Sequence, residues 1–106
     1  MKDSKIKNAI ITKTRLDQFG SNVIRITIRF DCGGDSMEST AQSVLNCEGY
    51  DAIELLAGIT NAANADSWED VLYKYVRIEM KDNIAYKIRH IIHGTEWVDM
   101  TKYIKS

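Results

Sequence analysis

Val23-Ile24-Arg25-Ile26-Thr27-Ile28-Arg29-Phe30-Asp31 alternates apolar and polar residues along its whole length. A period of two is the side-chain period of a β-strand. Ile24, Ile26, Ile28 and Phe30 therefore share a core face, and Arg25, Thr27 and Arg29 share the opposite one. Upstream, residues 6–16 read as a strand of mixed polarity, and Gly20-Ser21-Asn22 supplies a turn. The two segments predict an antiparallel hairpin.

Downstream, Gly33-Gly34 breaks the strand. Residues 36–44 are polar and β-tolerant, and read as a third, edge-like strand or an ordered loop. Asp51 opens a helix, with Glu54 three residues on as an acidic variant of the capping box. Ile53, Leu56, Ala57 and Thr60 make one stripe, which Leu55, Ile59 and Ala63 broaden to a width that suits packing on a sheet. The poor helix formers of residues 61–64 end it. Ser67-Trp68-Glu69-Asp70 reads as a capped single turn with Trp68 and Leu72 pointing inward.

Residues 75–80 form a strand with Val76, Ile78 and Met80 on one face and Tyr75, Arg77 and Glu79 on the other. Asp82-Asn83 is a hairpin-type turn. Residues 84–92 return with Ile84, Tyr86, Ile88, His90 and Ile92 in phase and Lys87, Arg89, Ile91 and His93 facing away. Gly94 ends that strand, and Trp97 and Val98 begin a short closing segment. The order β-β-(β)-α-β-β predicts an α+β domain spanning 1–106, one helix on an antiparallel sheet. Ile26, Ile28, Leu56, Ile78 and Ile88 are its expected core. Proline is absent, so turns rely on Gly, Asn and Asp.

Charge is segregated. Between Phe30 and Lys74 there is no lysine or arginine, while Asp31, Asp35, Glu38, Glu48, Asp51, Glu54, Asp66, Glu69 and Asp70 all fall there. All 14 basic residues lie in the flanks, so a formal charge of -1 hides a basic–acidic–basic layout. If the flanks form the sheet and the middle the helical part, two faces of opposite sign result. The sequence pI near 6.1 opposes nonspecific DNA binding by bulk charge, which shows as a pI above about 9. The first five residues lead into alternation and not an apolar run, so no secretory leader is expected. No stretch reaches the roughly 18 apolar residues of a membrane span. Cys32 and Cys47, with no CxxC spacing, read as small buried thiols in a reducing compartment.

The sharpest constellation is Arg25, Arg29, Arg77 and Arg89 on outward strand faces. Arginine forks suit phosphate or carboxylate, and Tyr75 and Tyr86 stand nearby for stacking. The plainer reading is a solvated sheet face whose charges prevent edge pairing. His90 and His93 fall on opposite faces of a strand and cannot share a metal without a bulge. His90 lies on the apolar phase, as a hydrogen-bonded core histidine would. No nucleophile elbow, phosphate loop or metal-ligand spacing is present. The expectation is a non-enzyme with no cofactor and no metal. The anionic-ligand residues would be Arg25, Arg29, Arg77 and Arg89, with His90 or Trp97 lining the site. For a basic protein partner, Glu48, Glu54, Asp66, Glu69 and Asp70 would serve instead. A small sheet with an open edge and charge-complementary faces predicts a homo-oligomer.

Ile6-Lys7-Asn8-Ala9, the strand ending Phe30-Asp31-Cys32-Gly33-Gly34, Trp68-Glu69-Asp70-Val71-Leu72 with Lys74-Tyr75-Val76-Arg77-Ile78, and Arg89-His90-Ile91-Ile92 closing on Glu96-Trp97 carry a resemblance. Together they resemble a family of small bacteriophage and prophage proteins. That family has a β-hairpin, a Gly-rich segment and a helix, then a W-E-D-L, G-K-Y-V-R-V strand and a closing G-H-I, W-F strand. The resemblance spans roughly residues 6–99. It departs in three places: residues 35–44 replace a Gly-aromatic segment, Arg89 replaces the Gly before the strand's His, and Tyr73 stands in the Leu-Gly-Lys connection. The resemblance implies a phage-encoded binding protein in the host cytoplasm. The expected role is antagonism of a host defence system, by occupying a defence protein or sequestering a small anionic nucleotide. The alternatives are a protein-binding accessory of phage DNA replication or recombination, and an enzyme with an unfamiliar site.

Overall fold

The computed structural model describes residues 3–34, 39–92 and 96–104. It has the expected α+β architecture: a six-stranded sheet with one helix packed on it. In chain order the elements are β1 (Lys5–Gln18), β2 (Val23–Asp31), β3 (Thr40–Glu48), α1 (Gly49–Ala62), a 3-10 turn (Trp68–Val71), β4 (Tyr75–Lys81), β5 (Ile84–His90), β6 (Val98–Asp99) and a second 3-10 turn (Thr101–Tyr103).

β1 is long because it serves two partners. Its first half, from Lys5 to Ile10, pairs antiparallel with β4, and its second half, from Ile10 to Gln18, pairs with β2. A bulge between Ile11 and Lys13 bends the strand where it changes partner. The sheet order β3-β2-β1-β4-β5-β6 then closes on itself, since Gln42 of β3 pairs in parallel with Ile84 of β5. Three bonds tie this seam, one of them from the Asn83 side-chain amide to the Thr40 carbonyl at 2.9 Å. Gln42 N–H donates to the Asn83 carbonyl at 2.9 Å, and the buried Ser43 hydroxyl donates to the Ala85 carbonyl at 2.6 Å.

The C-terminal segment fills the rest of the seam. β6 pairs with Lys87 and Ile88, Met100 N–H donates to the Tyr86 carbonyl at 2.8 Å, and Leu45 bridges Ile104. Met100 is fully buried there. The circuit β1-β2-β3-β5-β4-β1, with a helix between β3 and β4, has the strand order of the five-stranded OB Greek-key barrel.

The barrel interior holds Ile11, Ile26, Ile28, Phe30, Leu45, Val76, Ile78 and Ile88, all at 0% exposure. Four of the five expected core residues are thus buried, and the fifth, Leu56, is half-buried against them. The helix is rotated from its expected phase. α1 buries Ala52, Leu55, Ile59 and Ala62, while Ile53 is 63% exposed and Ala57 is exposed. The reason lies at its start. β3 runs straight into the helix through Gly49, whose φ of 44° is a left-handed conformation that glycine adopts without strain. Glu48 is the N-cap residue and makes no side-chain cap bond, so the Asp51–Glu54 capping box does not form. The small buried alanines Ala52 and Ala62 let the helix come close. A Cβ on Gly58 would meet both Val98 methyls at 3.4 Å.

Two other local expectations change. In β5, Glu79 pairs with Lys87 but Met80 pairs with Ala85, so Tyr86 is the extra residue of a bulge. Ala85 takes the buried place expected for Ile84 and Tyr86, because Tyr86 turns its carbonyl to Met100. In the turn after α1 the fully buried residue is Val71; Trp68 and Leu72 are half-buried. Of the weakly read residues 36–44, those from Thr40 onward belong to β3, which runs on to Glu48. Residues 36–38, His93 and Gly94 lie outside the described residues.

Candidate functional site

The strand order divides the four arginines into two pairs. Arg25 and Arg29 stand on the outer face of β2. Asp17, Arg25 and Asn46 form one cross-strand row, and Lys13, Arg29 and Gln42 form another. Arg25 Nε donates to Asn46 Oδ1 at 3.1 Å, and its guanidinium lies 3.8 Å from the Phe19 ring centroid. Arg29 donates to Gln42 Oε1 at 3.5 Å. Arg15 and Asp17 form an exposed ion pair at 3.0 Å.

Arg77 and Arg89 face each other directly across β4 and β5. Arg77 Nε donates to Asn8 Oδ1 at 3.1 Å. The Arg89 guanidinium stacks on Trp97 at 4.6 Å from the ring centroid. Its Nε is buried and has no hydrogen-bond partner among the described residues. Neither guanidinium ion-pairs with a carboxylate among the described residues. Tyr75, 62% exposed, precedes Arg77 by two positions on the same outer face. The surface therefore runs from Tyr75 and Asn8 through two adjacent guanidinium groups to Trp97. Like charges directly opposite in a sheet are destabilising, and a buried donor without a partner costs about 1–3 kcal/mol. An anion placed between the two forks relieves both.

The two pairs do not converge. Arg29 lies opposite Lys13 of β1 and Arg77 opposite Asn8, and five residues of strand separate these positions by about 17 Å. His90 does not join Arg89. It sits opposite buried Val76, on the other side of β5, and its Nδ1 accepts the Ile92 N–H at 3.1 Å. Glu48, Glu54, Asp66, Glu69 and Asp70 are all exposed on α1, its entry and the turn that follows. Asp70 accepts the Ser67 hydroxyl at 3.1 Å. The acidic middle of the chain is thus the helical side, and the basic flanks are the strands.

The sequence did not reveal the Arg25–Phe19 stacking or the exposed apolar cluster of Leu16, Tyr50 and Ile53. Ile53 reads as a core residue until Gly49 sets the helix phase. Burial, opposed by Lys7 and assisted by Asp31, raises the Cys32 pKa. Burial and the nearby Asp51 push Cys47 up to about 11. Neutral thiols are poor nucleophiles. Asp99 has a lowered pKa, chiefly from hydrogen bonds donated by the Thr101 side chain and then by its backbone N–H. No helix among the described residues is long and apolar enough to cross a membrane.

No protein-family model, curated protein or solved structure matches this chain. The OB strand order rests on its own pairings.

Proposed function

We propose that this chain is a phage-encoded, non-catalytic binding protein. It antagonises a host anti-phage defence system in the host cytoplasm by sequestering a small anionic nucleotide on the outer face of β4 and β5. The observation that carries the reading is the Arg77–Arg89 pair: two facing residues whose guanidinium groups make no carboxylate ion pair among the described residues, one stacked on Trp97 with a buried Nε that has no hydrogen-bond partner among them. A phosphate would bridge the two forks, each hydrogen bond to a charged group contributing about 1.5–3 kcal/mol. Tyr75 and Trp97 flank the forks as stacking surfaces for a base. The phage setting comes from the resemblance of residues 6–99 to small phage proteins. The non-catalytic character is supported by two thiols that burial keeps protonated.

The test is native mass spectrometry of the protein recovered from infected host cells. A nucleotide should be bound, and released on heating. Arg77→Met and Arg89→Met should fold, lose it, and fail to protect phage in a plaque assay. Full protection by both folded variants refutes the reading.

A second reading is an accessory of phage DNA replication or recombination. The OB strand order favours it, because such barrels bind oligonucleotides on their β2–β3 face and adjoining loops. Here that face presents Arg25 and Arg29, flanked by Lys13 and Arg15 of β1, with Phe19 in the β1–β2 loop. Filter binding of single-stranded DNA, lost on Arg25→Gln with Arg29→Gln and retained on Arg77→Met, would favour it over the first. Homo-oligomerisation belongs to the same proposal. Barrel closure leaves little free edge, so its support is the charge complementarity of strand and helix sides.

A further inference from the structure

A groove of about 350 Å³ opens on the outer face beside the arginine pair, lined by Asn8, Ile10, Tyr75, Asp31 and the Gly33 backbone among others. The strand pairing places it. Asp31 of β2, Ile10 of β1 and Tyr75 of β4 form one cross-strand row, and Asn8, Arg77 and Arg89 form the next. Asn8 therefore joins the groove to the arginines, since its Oδ1 accepts the Arg77 Nε–H at 3.1 Å. On the other side of the arginine row stand Glu79, Lys87 and Asp99, all charged. A ligand whose phosphate sits on the arginines thus has one apolar direction in which to lay its base, over Ile10 and the exposed Tyr75. Trp97 is the poorer platform, because Arg89 already covers one of its faces.

Asp31 stands at the far end of the groove and is the one charged residue among the described residues that line it. Its Oδ1 accepts the Gly33 N–H at 2.8 Å, and its Oδ2 accepts no bond among the described residues. An ionised carboxylate only accepts, and each oxygen has two lone pairs. It therefore selects a base edge made of donors. Adenine and cytosine set an amino donor beside a ring-nitrogen acceptor, and uracil sets its one N–H between two carbonyls. Guanine alone sets two donors, N1–H and N2–H, side by side. The carboxylate also repels a phosphate, so the ligand lies one way round, with its anion on the arginines. Asp31 and Arg77 are two strands and two residues apart, about 12 Å, which is the reach of an extended mononucleotide. We infer that the groove seats the base of a guanine nucleotide, stacked on Tyr75 with its N1–H and N2–H edge on Asp31 and its phosphate on Arg77 and Arg89. The inference rests on the nucleotide reading of the arginine pair and adds the base that it takes.

The probes are the 5′-monophosphates of guanosine, inosine, adenosine and uridine, with pyrophosphate, titrated by calorimetry. The guanosine nucleotide should bind the wild type about tenfold or more tighter than the other three. Inosine lacks only the N2 amino group, so that comparison needs no variant. Asp31→Asn keeps an oxygen for the Gly33 N–H and should fold. It should erase the preference for guanosine over adenosine while leaving the adenosine nucleotide bound at least as tightly. Tyr75→Leu should weaken all four nucleotides and leave pyrophosphate unchanged, with little change in melting temperature because the ring is exposed. Binding that Arg77→Met abolishes but that shows no preference for guanosine overturns this inference and leaves the nucleotide reading standing. So does a preference that Asp31→Asn leaves intact, or nucleotide binding that Tyr75→Leu does not weaken. No binding of any nucleotide to the wild type overturns both.

Discussion

Replacing Tyr73 with glycine should stabilise this protein. Tyr73 has φ 69°, the left-handed region, which costs an L-residue with a side chain roughly 1–2 kcal/mol. The conformation is held because Tyr73 N–H donates to the Ile11 carbonyl at 2.6 Å and Ile11 N–H donates to the Lys74 carbonyl at 3.0 Å. These bonds carry the β1–β4 ladder past Tyr75, so the backbone cannot relax without losing them. The ring is 65% exposed, and little burial is lost with it. Glycine removes the strain but has a freer unfolded state, which returns roughly 0.5–1 kcal/mol. The net gain is about 0.5–1 kcal/mol, or about 3–6 °C in Tm for a chain of this size. Tyr73→Ala separates the two contributions, since alanine keeps the Cβ and the strain. Thermal and urea unfolding should show the rise for glycine alone. A Tyr73→Ala variant as stable as Tyr73→Gly, or a glycine variant destabilised by more than about 1 kcal/mol, would refute the reasoning.

Met100→Ala should cost about 2–5 kcal/mol in urea unfolding, because its fully buried side chain closes the β3–β5 seam; a loss below about 1 kcal/mol would mean that the seam closes without it. Gly58→Ala should be neutral or stabilise by up to about 1 kcal/mol, since alanine's helix propensity is higher and the new methyl meets Val98 at 3.4 Å, a van der Waals contact, and a loss above about 1 kcal/mol would place β6 closer to α1. Cys47 is pushed up to about 11 from an ordinary value of 9.0, so its folded pKa is the higher one. Its contribution is fully present below pH 9 and is lost on rising to about 11, on the order of 2 kcal/mol. Urea unfolding of wild type and Cys47→Ala from pH 8 to 11 should show the wild type losing its advantage, and parallel curves would contradict the assignment.

The strand phases were readable where alternation met no irregularity. Val23–Asp31 buries Ile26, Ile28 and Phe30 and half-buries Ile24, Tyr75–Lys81 buries the residues its pattern names, and Asp82 and Asn83 take the positive φ angles of 54° and 63° that a tight hairpin needs. Alternation failed at Tyr86, because a bulge is created by the bond from distant Met100 and leaves no local signature. The helix phase failed because both Ile53-Leu56 and Leu55-Ile59 are apolar, and only the backbone of Gly49 chooses between them. Barrel closure was hidden for the same reason, since Gln42 and Ile84 meet in parallel across forty residues of chain. The outward arginines were legible as a set. Their division into pairs follows from β1 lying between β2 and β4, which only the pairing reveals.

Ligand-induced stabilisation tests the central claim most directly. Unfolding of the wild type and of Arg77→Met and Arg89→Met would be followed across a panel of linear and cyclic nucleotides with inorganic phosphate. A ligand that binds only the folded state raises stability by about 2.7 kcal/mol at a hundred times its Kd. At least one nucleotide should raise the wild-type Tm. Both variants should lose that rise while melting, without ligand, at or above the wild-type temperature, because the facing charges of Arg77 and Arg89 are gone. A rise preserved in both variants, or none in the wild type with any nucleotide, would contradict the assignment of the Arg77–Arg89 face as an anion site.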